Sequence, residues 1–329
     1  MHPALTRLVR IIILASATML FALLECRCSP DPDDNGLVHV DPPPPYPLAS
    51  SPAWSPDGSW ILYGGYDTWP ILMPTIFAVD TLGNRRSVTA PWPYPASEPD
   101  VSPDGKWLLF VSGSQICKAR LNQDLSMDTA SVAVLTDGGE NHFPAWSPDG
   151  RRIVYDSDAC DSTTFYGVCL MDSNGANRRY LPRVGGDVRA PDWSPDGSEI
   201  VCVGYDGCFF PVPMVTDTDG TSRRLLVDVH DSLDCMYPAW SPFGDRIALA
   251  TLSVKKGKGN ERMTRGIWVS VLESDGSRMD RLTRGQEPAW SPDASKLAFV
   301  DVDSSGGRRC YALFMYDVRT ARRMLLTRP

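Results

Sequence analysis

The sequence predicts an all-β fold, a six-bladed β-propeller of four-stranded antiparallel blades. Three observations carry that prediction. One short tract recurs six times at a near-constant period. Each copy is followed by runs of alternating polar and apolar residues set between turn signals. The chain of 329 residues holds 26 Gly and 29 Pro, which suits frequent turns rather than long helices.

The tract reads SPAWSPDGSWILY from Ser51, EPDVSPDGKWLLF from Glu98, FPAWSPDGRRIVY from Phe143, APDWSPDGSEIVC from Ala190, YPAWSPFGDRIAL from Tyr237 and EPAWSPDASKLAF from Glu287. Measured at Trp54, Val101, Trp146, Trp193, Trp240 and Trp290, the spacings are 47, 45, 47, 47 and 50 residues. Periods of about 40–50 residues are those of propeller blades.

Each unit reads as four strands. Strand A ends in the Trp, next to a small Ala that suits a crowded inner position, and the Trp can fill the wedge between adjacent blades. Ser-Pro-Asp-Gly then makes a tight turn, its Ser and Asp bonding their own backbone. Strand B follows, as in RIVYDS or KLAFVDV, then a variable loop and strand C, as in IFAVD or YALFMYD. A second turn, often Asp-x-x-Gly, leads to strand D, as in RRSVT or RRLLV. Three copies depart from the pattern: Val101 stands for the Trp, Phe243 for the Asp and Ala294 for the Gly. Ala is costly at positive φ, so the last turn is expected to be of another type.

Residues 1–25 read as a leader. Arg7 and Arg10 precede an apolar run from Ile11 to Leu24, of signal-peptide length and short of the roughly 20 residues that span a bilayer. LLEC, ending at Cys26, is similar to a bacterial lipobox, although Glu25 stands where those boxes carry a small residue, and makes Cys26 a lipidation candidate. Residues 26–50 are acidic and Pro-rich, a stiff solvated tether, and 51–329 hold the propeller, with blades starting near 51, 98, 143, 190, 237 and 287. The expected location is therefore exported, either periplasmic or held at the bacterial envelope membrane by an N-terminal lipid.

Hydrophobic residues make up 43% of the chain, enough for a substantial core. A net charge of −8 and a pI near 5.1 speak against a nucleic-acid partner, which would want a basic face. Seven cysteines lie beyond the tether; export permits disulfides, and the odd number leaves a thiol over or an intermolecular bond. Cys208 and Cys235 could be bridged.

The repeat resembles the TolB-like (WD40-like, PD40) β-propeller family, with its P-x-W-S-P-D-G opening and R-R-L-T closing, from Ser51 to Arg328. That resemblance implies a propeller acting in envelope complexes with protein partners. Related propellers also occur beside serine-peptidase domains or as metal-dependent lyases. No G-x-S-x-G elbow occurs here, and His142 and His230 are the only histidines beyond the tether, which is too few for such a metal site. No catalytic residue, metal or cofactor is expected.

If strand A ends at the Ser-Pro-Asp-Gly turn, the A–B and C–D turns share a regular rim. The B–C loops and D–A connections share the other rim, which is long and variable, and recognition favours such loops on a rigid scaffold. The candidate partner-binding residues there are Tyr66, Trp69, Phe165, Tyr166, Phe209 and Phe210 as aromatic anchors, His142 and His230, and the basic Lys255 and Lys256 of the blade-five loop. DTDG at Asp217 and ESDG at Glu273 have the look of calcium loops but sit where C–D turns belong and lack the remaining ligands. The expected function is a non-catalytic protein-binding or scaffold module working through the variable rim and channel mouth. The alternatives are a carbohydrate- or small-ligand-binding propeller, or a propeller hydrolase or lyase.

Overall fold

The computed structural model describes residues 49–66, 73–159, 165–182, 187–205, 211–227, 233–256, 262–303 and 310–327. The leader, Cys26 and most of the tether lie outside these residues. The described residues form 24 strands. Blade 1 holds β1 (Ser50–Trp54), β2 (Trp60–Tyr66), β3 (Pro74–Asp80) and β4 (Arg85–Ser87). Blade 2 holds β5 (Ser97–Val101), β6 (Trp107–Ser112), β7 (Gln115–Leu121) and β8 (Met127–Val134). Blade 3 holds β9 (Asn141–Trp146), β10 (Arg152–Ser157), β11 (Gly167–Asp172) and β12 (Arg179–Tyr180). Blade 4 holds β13 (Val188–Trp193), β14 (Glu199–Tyr205), β15 (Pro211–Asp217) and β16 (Arg223–Leu225). Blade 5 holds β17 (Leu233–Trp240), β18 (Arg246–Lys256), β19 (Arg262–Glu273) and β20 (Met279–Arg284). Blade 6 holds β21 (Gln286–Trp290), β22 (Lys296–Asp303), β23 (Cys310–Asp317) and β24 (Arg322–Leu325).

Each blade is one four-stranded antiparallel sheet whose strands follow chain order. The six-bladed, all-β expectation therefore holds. The core is six wedges, each between one blade and the blade before it. Trp146 packs on Leu109, Val111 and Ile116 of blade 2, and Trp193 packs on Val154, Val168 and Leu170 of blade 3. Trp240 and Trp290 do the same against blades 4 and 5. Where Val101 replaces the Trp, Trp60 and Trp92 pack into the wedge instead. Burying such a ring stabilises by about 4 kcal/mol on area grounds.

Among the described residues, the sixth blade takes all four of its strands, β21 to β24, from the last repeat. Blade 1 lays its face on blade 6, with Trp54 and Ile61 packed on Ala298, Val300 and Leu313. Hydrogen bonds also cross the seam. Trp54 Nε1 donates to Ala289 O at 3.1 Å, Ala49 N to Tyr311 O at 3.2 Å, and Ser51 N to Glu287 Oε2 at 2.5 Å.

The Ser-Pro-Asp-Gly turns work as their composition predicts. In blade 3, Ser147 Oγ donates to Asp149 Oδ1 at 2.6 Å and accepts the Arg152 N–H at 2.9 Å. In blade 5, where Phe243 replaces the Asp, Asp245 takes over the bond to Ser241 Oγ at 2.7 Å. The Ala294 turn corrects the expectation of a different type. Ala294 sits at φ 53 and donates its N–H to Ser291 O at 2.8 Å, as Gly58 does to Ser55 O at 2.9 Å. The repeated contacts on both sides hold the geometry, and Ala accepts the strain. DTDG and ESDG are C–D turns, closed by Gly220 N to Asp217 O and Gly276 N to Glu273 O.

Strand pairing also reaches further into the variable rim than expected. Lys255 and Lys256 are not loop residues: they pair with Met263 and Arg262 in the β18–β19 hairpin. Tyr66 likewise pairs with Pro74 at the end of β2.

Cys235 is a thiol rather than half of a bridge to Cys208; it is wholly buried, and burial pushes its pKa up to about 12. Cys117, Cys202 and Cys310 are buried free thiols. Cys169 is disulfide-bonded.

Candidate channel site

Six equivalent residues stand immediately before the Pro of strand A: Ser51, Glu98, Phe143, Ala190, Tyr237 and Glu287. Each has left-handed backbone, with φ between 47 and 53. Beside each, the pairing of strands A and B slips by one residue, a β-bulge. Left-handed backbone costs an ordinary residue about 1–2 kcal/mol, and bulges re-aim side chains. All six residues line an axial cavity of about 310 Å³, together with the Pro and the residue after it in each blade. Because strand A runs from a D–A connection to the A–B turn, the six lie toward the variable rim.

The lining is acidic and aromatic. The Phe143 and Tyr237 rings meet with centroids 5.7 Å apart. Glu98, Asp100, Asp192 and Glu287 supply carboxylates, and no Lys, Arg or His belongs to the lining. These carboxylates also join blades. Glu98 Oε2 accepts the Phe143 N–H at 2.6 Å. Asp100 Oδ2 accepts the Trp146 N–H, and Asp192 Oδ2 the Trp240 N–H, both at 2.7 Å. The acceptor always belongs to one blade and the donor to the next. Enclosure pushes Asp100 up to about 7, Asp192 to about 6 and Glu287 to about 7.

A second polar group lies beside the channel, between blades 2, 3 and 4. His142 Nδ1 is 3.1 Å from Glu98 Oε1, and its ring is 6.2 Å from that of Tyr166. The Tyr166 hydroxyl donates to Glu140 Oε2 at 2.6 Å, and the Arg189 guanidinium lies 3.5 Å over the Tyr166 ring. Asp156 is wholly buried; its Oδ2 accepts the Ala190 N–H at 2.8 Å, while Oδ1 has no donor among the described residues. Among the described residues, no three His, Cys, Asp or Glu side chains converge to hold a metal.

Of the residues expected to bind a partner, His142 and Tyr166 come together in this group. Phe165 is 48% exposed, and Tyr66 is half-buried at the end of β2. Trp69, Phe209, Phe210 and His230 lie outside the described residues, as do the side chains of Lys255 and Lys256. Sequence reasoning missed the six-residue ring itself. A signal was present: within an otherwise repeated tract, the position before Pro varies as Ser, Glu, Phe, Ala, Tyr and Glu.

Comparison with known proteins gives a consistent family signal. A family model described as "TolB beta propeller domain" matches residues 47–197. A Tol-Pal system protein TolB from Hahella chejuensis is 32% identical over 116 residues, which is 33% of this chain and 25% of that protein. The match thus spans a quarter of the relative's length. Among solved structures, a putative TolB from Agrobacterium tumefaciens superposes with a TM-score of 0.60 at 19% identity, covering 75% of this chain and 87% of that one. TolB from Acinetobacter baumannii gives 0.55 at 22% identity, covering 74% and 57%. An oligogalacturonate lyase from Vibrio parahaemolyticus gives 0.56 at 12% identity, covering 87% and 80%. At such identities these structures share the fold alone.

Proposed function

We propose that this chain, whose residues 47–197 match a TolB β-propeller family model, is a non-catalytic protein-binding module of the bacterial envelope, engaging its partner at the variable-rim end of the axial channel. The observation that carries this reading is the ring of six positions before Pro. Their backbone is strained, their side chains face one cavity, and they vary while the tract around them repeats. Strain of this kind concentrates where structure serves recognition. The leader and the Cys26 lipobox support export, with the tether setting the propeller off from a membrane.

The test is site-specific photocrosslinking in the producing cell, with benzoylphenylalanine at Phe143 in the ring or at Phe243, which is 69% exposed on the opposite rim. The reading expects one defined protein adduct from position 143 and none from 243. Adducts from 243 alone, or equally from both, would overturn it.

A further inference from the structure

We propose that the channel takes one basic side chain or terminal amine of the bound protein, the cation resting between the Glu287 carboxylate and the Tyr237 ring. This rests on the channel reading above and adds the chemistry of what enters.

Glu287 and Tyr237 hold the same ring position on neighbouring blades, and both line the cavity. Glu287 is only 6% exposed, and among the described residues its donor is Ser51, through the N–H to Oε2 and through the side-chain hydroxyl. The Tyr237 hydroxyl has no hydrogen-bond partner among the described residues, and its ring offers a face to a cation. Among the described residues, Glu98 is the lining carboxylate that has a cationic neighbour, His142. Asp100 and Asp192 receive backbone N–H groups only. The interior therefore carries carboxylates whose charge no lining side chain balances, next to two aromatic rings. An anionic ligand would meet repulsion there, and a neutral one would leave the Glu287 charge without a cation in an enclosed site. Since the carboxylates are dispersed around the axis rather than converging, an organic cation fits better than a metal ion. About 310 Å³ is at the small end for ligand pockets, which suits a side chain rather than a folded element.

The experiment titrates the full chain with acetyl-Gly-Arg-Gly-amide and with its Lys, Gln and Glu counterparts, followed by calorimetry. The Arg and Lys peptides are expected to bind at least tenfold more tightly than Gln, with Glu weakest. Glu287→Gln keeps an oxygen for the Ser51 N–H and should lose at least tenfold for Arg and Lys alone. Should that variant fail to fold, Ala190→Lys and Ala190→Gln answer the same question. Both fill the ring, but only the Lys variant places a resident cation there, so it should bind the Arg peptide at least tenfold more weakly than the Gln variant.

Equal binding of Arg and Gln peptides, or equal behaviour of the two Ala190 variants, would overturn the inference. Repeating the Phe143 crosslink in the Glu287→Gln background separates the two ideas. An adduct undiminished by the substitution sinks only the cation, whereas no adduct in either background sinks the channel reading itself.

Discussion

His142 shows how one residue here couples charge to folding. Its burial opposes protonation, yet Glu98 and Asp156 outweigh burial and push its pKa up to about 9. A histidine raised above its ordinary 6.5 stabilises the fold fully below that value and loses the contribution as pH rises through about 9. Asp156 is pushed up to about 7 by burial, so its protonated form is favoured in the fold. That contribution is full below the ordinary carboxylate range and is lost as pH rises through about 7. Both groups therefore act in the same direction, with Glu98, Arg189, Tyr166 and Glu140 as their charged or polar surroundings. Thermal unfolding at fixed ionic strength should show Tm falling between pH 6 and 9. His142→Gln should flatten that fall above pH 7; a parallel curve would mean that His142 does not control it. A second residue-scale prediction concerns Ala294. Ala294→Gly relieves left-handed strain and returns some unfolded-chain entropy, so denaturant unfolding should show a net gain of roughly 0.5–1 kcal/mol.

At the scale of elements, the tryptophan and the turn after it were legible in the sequence because they repeat, and repetition separates scaffold from site. The bulge before them was not. A one-residue slip moves side chains to the other face of a sheet, so alternation alone could not place Phe143 or Tyr237 on the axis. The arginine pairs that open strand D read only as a closing signature, yet they bridge blades. Arg86, Arg179 and Arg224 reach forward to Asp124 O, Thr218 O and Ser274 O in the next blade's C–D turn. Arg178, Arg223 and Arg323 reach back to Leu135 O, Pro182 O and Arg284 O in the blade before. No single repeat contains both halves of such a contact, which is why the sequence pattern did not reveal it. Two magnitudes follow. Trp193→Ala should cost about 3–5 kcal/mol, as expected for a large buried aromatic. Arg224→Ala breaks a partly exposed hydrogen bond to Ser274 O and a long, partly exposed ion pair with Glu199 and should cost roughly 0.5–1 kcal/mol. Urea unfolding of both variants would check the ranking, and near-equal losses would mean that the wedges are not the main source of stability.

Across the whole molecule, six contiguous repeats make six blades, and face packing with hydrogen bonds between the first and last blades closes the ring. The consequence is a division of labour within a single strand. Its tryptophan end packs neighbouring blades together, while its proline end presents a varied side chain to the axis, which at Glu98 and Glu287 also accepts an N–H from the next blade. The most direct measurement of that division compares Phe143→Ser and Tyr237→Ser with Trp146→Ala, recording Tm and affinity for the crosslinked partner in each. Ser already stands at the equivalent position in blade 1, so the two ring variants should keep Tm within roughly 2 °C and lose at least tenfold in affinity, while Trp146→Ala loses stability first. Ring variants that unfold early yet bind as tightly as the parent would contradict the account.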